Sequence, residues 1–262
     1  MAKKSKLLSD YVNDNHVTIP ELISLLNDIQ AKNFSGQSPQ AIENVKQLFV
    51  LGLNDINRLF PSLNIPTTST DPADYINKWL TRYYNANHSK PSASVAKPKS
   101  SANDPALAIL VKEHENYSEE ELTNAVKAHN LFMSAENKSG ALLEEYIAER
   151  SNNYGWIWAQ GETLRACDFA RKNPVININE FIQIKNRDNT ENSSSSTVRD
   201  GTQIVKLERL KTRTKDGVPY ADFEWDKINT AMGIPEDNKM SEASYIDFLR
   251  SAVRNNPDII WG

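Results

Sequence analysis

Between residues 154 and 185 the chain stops reading at the helical period and starts reading at the period of a strand. Tyr154–Gln160 (YGWIWAQ) is aromatic and strand-like, and Thr163–Phe169 (TLRACDF) alternates. After the Asn173-Pro174 turn signal, Val175–Ile178 and Glu180–Lys185 (EFIQIK) are strand-like again. On either side the spacing is helical. Pro20-Glu21 leads into Leu22, Ile23, Leu25, Leu26 and Ile29, with Thr18 as the cap. A second helix fits Pro39 to Phe60, stopped by Pro61, and Asp71-Pro72 opens a third that carries Tyr75, Ile76, Trp79, Leu80 and Tyr83. Downstream, Ser118 with Glu121 forms a capping box for a helix to about Met133. Gly140 precedes another helix at Ala141–Arg150, and the tail returns to helix around Ser241–Arg254. This order describes an α/β core rather than a helical bundle or a β-sandwich.

Asn85 to Pro105 holds no large apolar residue except Val95 and is dense in Ser, Pro, Ala and Lys. Such a stretch cannot bury enough surface to offset its ordering entropy, so it reads as a linker or long loop. It divides the chain into a helical N-terminal region over 1–84, the linker over 85–105, and a larger domain over 106–262. Thirty Lys and Arg against 34 Asp and Glu give a formal net charge of −4. That argues against holding nucleic acid by bulk charge, while leaving room for a locally basic cleft. No apolar run approaches the ~20 residues of a membrane span, and no apolar stretch follows the basic start as in a secretory signal. Cys167 stands alone, and the four histidines are scattered, so an internal disulfide and a Cys-based zinc site are excluded. No glycine-rich phosphate loop is present. The expectation is a soluble cytoplasmic protein without structural zinc.

Residues two apart in a strand share a face. Alternation groups Leu164, Ala166 and Asp168 on one side, and Phe181, Gln183 and Lys185 on one side of the later strand. If the two strands are neighbours, Asp168 meets Gln183 and Lys185 at one end of a sheet. A carboxylate and an amide oxygen are hard ligands suited to Mg²⁺. An ammonium beside them can orient a water or stabilise charge developing on a phosphate. Glu144, on the preceding helix, can complete the group. Each residue also has an ordinary reading: a strand-end Asp as a turn or cap residue, Lys as an edge gatekeeper, Glu144-Glu145 as a solvated helix face.

The order Glu, Asp, Gln-x-Lys resembles the PD-(D/E)XK nuclease core in a variant with Gln at the second acid. The words GALLEEYIAE, GWIWAQGETLRACDF and QIKNRDNTENSSSSTVRDGT are similar to the SinI-type family of type II restriction endonucleases over roughly residues 138–215. The resemblance implies a restriction-endonuclease-like core, a mixed sheet flanked by helices, with the catalytic domain over 106–262. It implies Mg²⁺-dependent cleavage of double-stranded DNA at a GG(A/T)CC-like palindrome, leaving 5′-phosphate and 3′-hydroxyl ends, beside a matching DNA methyltransferase. Carried over residue by residue, it makes Asp168 the metal-binding acid, Gln183 the second ligand position and Lys185 the catalytic lysine. Glu144 is the helix acid and third metal-site candidate, with Glu145 as the competing assignment. Gln183 departs from the commoner Asp or Glu and supplies one negative charge fewer.

The segment after Lys185 is almost all hydrogen-bonding groups. By composition it is a Ser-rich loop; beside the catalytic strand, the resemblance makes it the DNA-reading segment. Arg187 suits guanine, Asp188 a cytosine amino group, and Asn186, Asn189 and Asn192 suit adenine or phosphate. Ser193, Ser194, Ser195 and Arg199 suit phosphates. A palindrome cut on both strands matches a two-fold homodimer. Two further readings share these residues: a repair or junction nuclease of the same fold, and a non-catalytic DNA-binding protein with a decayed nuclease core. Cys167 and Trp156 read as buried packing residues rather than as a nucleophile and a base-stacking platform.

Overall fold

A computed structural model describes residues 3–15, 17–95, 104–188 and 193–260. Its first elements are β1 (Lys3–Lys6), α1 (Leu8–Asn15), α2 (Ile19–Asn33), α3 (Pro39–Gly52), β2 (Leu63–Pro66) and α4 (Pro72–His88). Then come α5 (Pro105–Glu115), α6 (Glu119–Ser151), β3 (Ile157–Trp158), β4 (Phe169–Lys172), β5 (Asn179–Arg187) and α7 (Ser193–Arg199). The last are β6 (Ile204–Lys215), β7 (Val218–Phe223), α8 (Trp225–Met232) and α9 (Glu242–Asn255). Two compact units result: residues up to Ser89 with Ile147–Met240, and Lys90–Tyr146 with the segment from Ser241 onward. The division falls inside α6. Among the described residues no helix is long and apolar enough to cross a membrane.

In the first unit the helix starts are capped as the sequence suggests. Thr18 and Glu21 exchange hydrogen bonds in a capping box at α2. Ser38 and Asp71 cap α3 and α4, each followed by a proline whose missing N–H costs nothing in a first turn. Leu22, Leu26, Val45, Leu48, Phe49, Trp79 and Leu80 are buried, each stabilising by roughly 1.5–3 kcal/mol. The same core takes in Ala170, Phe181 and Ile204 from the strands. The first 84 residues therefore do not stand as a separate region: their apolar faces and the sheet bury one another.

Five strands form a mixed sheet in the order β3-β4-β5-β6-β7. Only β5 and β6 run parallel, and the other neighbours are antiparallel. A five-stranded mixed sheet with helices is the restriction-endonuclease-like α/β core expected. Its details differ from the expected strands. Thr163–Ala166 is not a strand, because its backbone bonds elsewhere: Thr163 O accepts the Trp79 indole at 2.8 Å, Arg165 N donates to Leu59 O at 2.8 Å, and Ala166 has φ 53°. Val175–Ile178 is a turn and its approach to β5; Asn173 Oδ1 takes the Val175 and Ile176 N–H groups, leaving Val175 88% exposed. Helix α3 stops at Gly52, where an added Cβ would lie 2.9 Å from the Phe60 ring.

The second unit holds a smaller core of Leu142, Ala252 and Ile259, with Tyr146 stacked at 5.3 Å on Tyr245 and 5.6 Å on Phe248. Helix α6 runs through Gly140 without the expected break. Gly140 meets nothing within 4 Å, so it costs helix propensity, about 1 kcal/mol, and no packing. The expected linker is also shorter than 85–105: residues up to His88 finish α4 and Pro91–Ala93 form a helical turn.

Candidate functional site

The site grows from a hairpin. Strands β4 and β5 pair with Phe169 opposite Ile182, and the turn after Asn173 sets that register. Phe181, Ile182 and Ile184 are buried and anchor β5 between β4 and β6. Asp168 lies one residue before β4. Its N–H donates to Ile182 O at 2.8 Å and its C=O accepts from Ala159 N at 2.8 Å. Its carboxylate Oδ2 accepts the Ile184 N–H at 2.7 Å, so a side chain takes over a ladder bond of the sheet. This fixes the carboxylate against the strand that carries Gln183 and Lys185. Burial pushes the Asp168 carboxyl up to about 6, against the Ile184 N–H and the Lys185 ammonium, which both favour the charged form. Asp168, Gln183 and Lys185 are thus brought together, by a hairpin rather than by two alternating strands.

Gln183 is buried, and its Oε1 accepts a 2.6 Å charge-assisted hydrogen bond from Arg199 Nη1 at the end of α7. The guanidinium placed among the DNA contacts therefore also holds the residue placed at the second ligand position. Nothing in local sequence signals this pair: its members are sixteen residues apart, and Val198 must be buried to dock the helix.

The segment after Lys185 is tied to β6. Asn186 Oδ1 accepts from Arg209 Nε at 2.8 Å, and the Arg209 guanidinium lies 5.5 Å from the Phe223 ring centre. Asp188 accepts the Thr212 N–H at 2.8 Å and the Thr212 hydroxyl at 3.2 Å; the backbone donor holds its carboxyl below the usual range. These acceptors brace the end of β5. Arg187 is exposed. Asn189 and Asn192 lie outside the described residues, and Ser193, Ser194 and Ser195 belong to the backbone of α7. From Gln183 to Lys215 the chain carries eight Lys and Arg against four Asp and Glu, and this basic stretch is partly paired: Lys206 and Lys211 meet Glu208 at 2.7 and 3.6 Å, and Arg213 meets Asp222 at 3.2 Å.

In the second unit, Glu145 is buried and both its oxygens are engaged, Oε2 by Ser92 N at 2.7 Å and Oε1 by Ser92 Oγ at 2.5 Å. Glu145 thus braces its own unit, and Glu144 is partly exposed on α6. Cys167 is buried with its thiol directed to Phe169 O, and burial pushes it well above its ordinary value, so it is no nucleophile. Trp156 is buried, donates to Met232 O at 2.8 Å and carries the Arg171 guanidinium 4.4 Å from its ring centre.

Among the described residues no three His, Cys, Asp or Glu side chains cluster as a closed metal cage. The donors suit a different kind of site. Mg²⁺ keeps several waters and takes one or two carboxylates together with substrate phosphate oxygens. Asp168 offers a fixed carboxylate, Gln183 a neutral oxygen, and Lys185 a cation placed for a phosphate or a water.

Residues 75–255 match the family described as SinI restriction endonuclease. The type II restriction enzyme Eco47I of Escherichia coli is 36% identical over 149 residues, 57% of this chain and 64% of that protein. The type II restriction enzyme SinI of Salmonella infantis is 33% identical over 149 residues, with the same shares covered. The chain thus spans less than two thirds of the length of these curated relatives.

Proposed function

The chain belongs to the SinI restriction endonuclease family, and from that premise we propose that it is a type II site-specific deoxyribonuclease. It makes Mg²⁺-dependent double-strand cuts at a short GG(A/T)CC-like palindrome, acts as a homodimer, and works beside a DNA methyltransferase that protects the same site. The observation that carries this reading is the Asp168 carboxylate locked on the Ile184 N–H beside Lys185.

Asp168 would hold the metal, with Gln183 as a further oxygen donor. Bound there, Mg²⁺ supplies charge neutralisation for a phosphodiester under attack. Lys185, as an ammonium, positions the attacking water and screens the negative charge that develops as the nucleophile forms. Gln183 has a second lone pair beyond the one that accepts Arg199, so it can serve the site while it steers that guanidinium to the scissile phosphate. Ile184 keeps Asp168 from rotating away, which pre-orients the donor before DNA arrives. Arg187, with Asn186, Asp188, Asn189, Asn192 and the serines 193–195, makes up the base- and phosphate-contacting segment.

Incubating plasmid DNA with the protein and Mg²⁺ tests this directly. Discrete fragments with a shared end sequence are expected, and Asp168→Ala and Lys185→Ala should abolish them while sequence-specific binding in Ca²⁺ persists. Random or structure-dependent nicking would replace restriction by a repair or junction activity. Binding without cleavage by the unaltered protein would point to a decayed core. Undiminished cutting by either variant would remove the proposed site.

A further inference from the structure

Strand β6 sets a carboxylate beside the proposed catalytic lysine and then ties it to other cations. In the parallel register of β5 and β6, Phe181 lies opposite Ile204, Gln183 opposite Lys206 and Lys185 opposite Glu208. Residues two apart in a strand share a face, and residues paired across two strands share it as well. These six side chains therefore belong to one surface of the sheet. Phe181 and Ile204 bury its inner end in the core, and the outer end carries Lys185, Lys206 and Glu208.

Neighbouring strands lie ~4.8 Å apart, so an acid directly across from an ammonium is within ordinary ion-pair reach of it. Glu208 is engaged elsewhere. Its Oε1 meets the Lys206 ammonium at 2.7 Å and its Oε2 the Lys211 ammonium at 3.6 Å. The Glu208 side chain is 14% exposed and that of Lys206 21%, so water screens this pair less than a surface one. Lys211 is more exposed and further off, which makes Lys206 the stronger restraint. Among the described residues Lys185 takes part in no ion pair and no side-chain hydrogen bond. The acid opposite it is thus occupied by two other lysines. An unpaired ammonium is available to a phosphate or a water, whereas one locked onto a carboxylate has lost its reach and its uncompensated charge.

We propose that Lys206 is a positioning residue for DNA cleavage: it occupies Glu208 and thereby keeps that carboxylate off Lys185. The inference rests on the nuclease reading of Asp168 and Lys185. Removing Lys206 frees Oε1 of Glu208, and the cation opposite in register is then Lys185. Loss of Lys206 should therefore be repaired by removing the acid as well. Single-turnover cleavage of plasmid DNA in Mg²⁺ at saturating protein, with DNA binding in Ca²⁺ measured separately, tests this. Lys206→Met should slow cleavage about 100-fold, as a misplaced reacting group does, while affinity falls only a few-fold, as for one lost phosphate contact. Lys206→Met with Glu208→Gln should recover most of the rate. Lys206→Arg, which keeps the ion pair, and Glu208→Gln alone should cut as the unaltered chain does. A Lys206→Met variant that cuts at the native rate overturns the proposal, and so does a loss that Glu208→Gln fails to repair. Binding lost in parallel with cleavage would mark a merely structural role and overturns it too. A Glu208→Gln variant faster than the native chain does the same, since the acid would then not be neutralised by Lys206. Failure of the nuclease reading looks different: the unaltered protein makes no discrete cuts, or Lys185→Ala cuts as well as it does, and either result removes the proposal with its premise.

Discussion

Asp168 does two jobs that one pair of substitutions can separate. Its Oδ2 satisfies the Ile184 N–H, and its charge is the proposed anchor for a cation. Asp168→Ala removes the acceptor and leaves that N–H unpaired next to the buried Ile184 side chain, at a cost of about 1–3 kcal/mol. For a chain of this size that corresponds to a melting temperature lower by roughly 3–10 °C. Asp168→Asn keeps an oxygen where Oδ2 accepts and removes the charge that burial opposes. The sign follows from the shift. The folded value is about 6 against an ordinary 3.8, so ionisation is disfavoured in the fold and the native chain loses stability as pH rises from about 4 to 6. The Asn variant lacks that loss, so at pH 7 it should melt at or above the native temperature, while at pH 4 the two should converge. Calcium titration calorimetry and plasmid cleavage complete the assay: both substitutions should abolish cation binding and cutting. An Asn variant as unstable as the Ala variant would show that the side chain does not carry the ladder bond. An Asn variant that still binds Ca²⁺ would show that the carboxylate is not the anchor.

The other expectations are simpler. A double-mutant cycle on Arg199→Ala and Gln183→Leu, followed by urea unfolding, should give a coupling of about 1.5–3 kcal/mol, because one charge-assisted bond joins a buried amide to a guanidinium; additive losses would refute the pairing. Since burial holds the Asp168 carboxyl near 6, protons and cations compete there, and Ca²⁺ affinity should fall about tenfold per pH unit below that value. A flat calorimetric profile between pH 5 and 7 would assign the cation to another group. Gly161 has φ 69° and an added Cβ would lie 2.5 Å from Arg82 O, so Gly161→Ala should destabilise by about 1–3 kcal/mol in urea; an unchanged midpoint would show that this loop is not clamped on α4.

What could be read from residues alone divides along physical lines. The helix starts at Thr18 and Asp71 were legible because a cap is a local event: each bonds a backbone group two or three residues away. The meeting of Asp168 with Gln183 and Lys185 was legible for a different reason from the one alternation supplied. Alternation requires a strand through Thr163–Phe169, and the backbone there is held instead by Trp79 and Leu59. What survives is the hairpin turn at Asn173, since a short turn dictates which residues of two strands face each other. β6 and β7 were illegible because their inward pattern is weak: of β6 only Ile204 is buried, and the rest mixes Lys, Glu, Arg and Thr. Such a strand forms by pairing with neighbours already in place, which no period records.

The pairing of that strand changes how the basic stretch should be understood. Counting charges from Gln183 to Lys215 suggests a cationic surface laid along a DNA backbone. In the structure Lys206 and Lys211 converge on Glu208, which the parallel register places opposite Lys185, while Arg209 and Thr212 hold Asn186 and Asp188. Much of the charge is therefore internal to the sheet and fixes the position at which β5 ends. An enzyme that must cut one phosphodiester has more use for a rigid Lys185 than for another diffuse phosphate contact, because a displacement of about 1 Å at the reacting group can cost a hundredfold in rate. On the proposed nuclease reading, the residues that look like a DNA-binding run would act mainly one step back from the DNA, by holding the strand that carries Lys185.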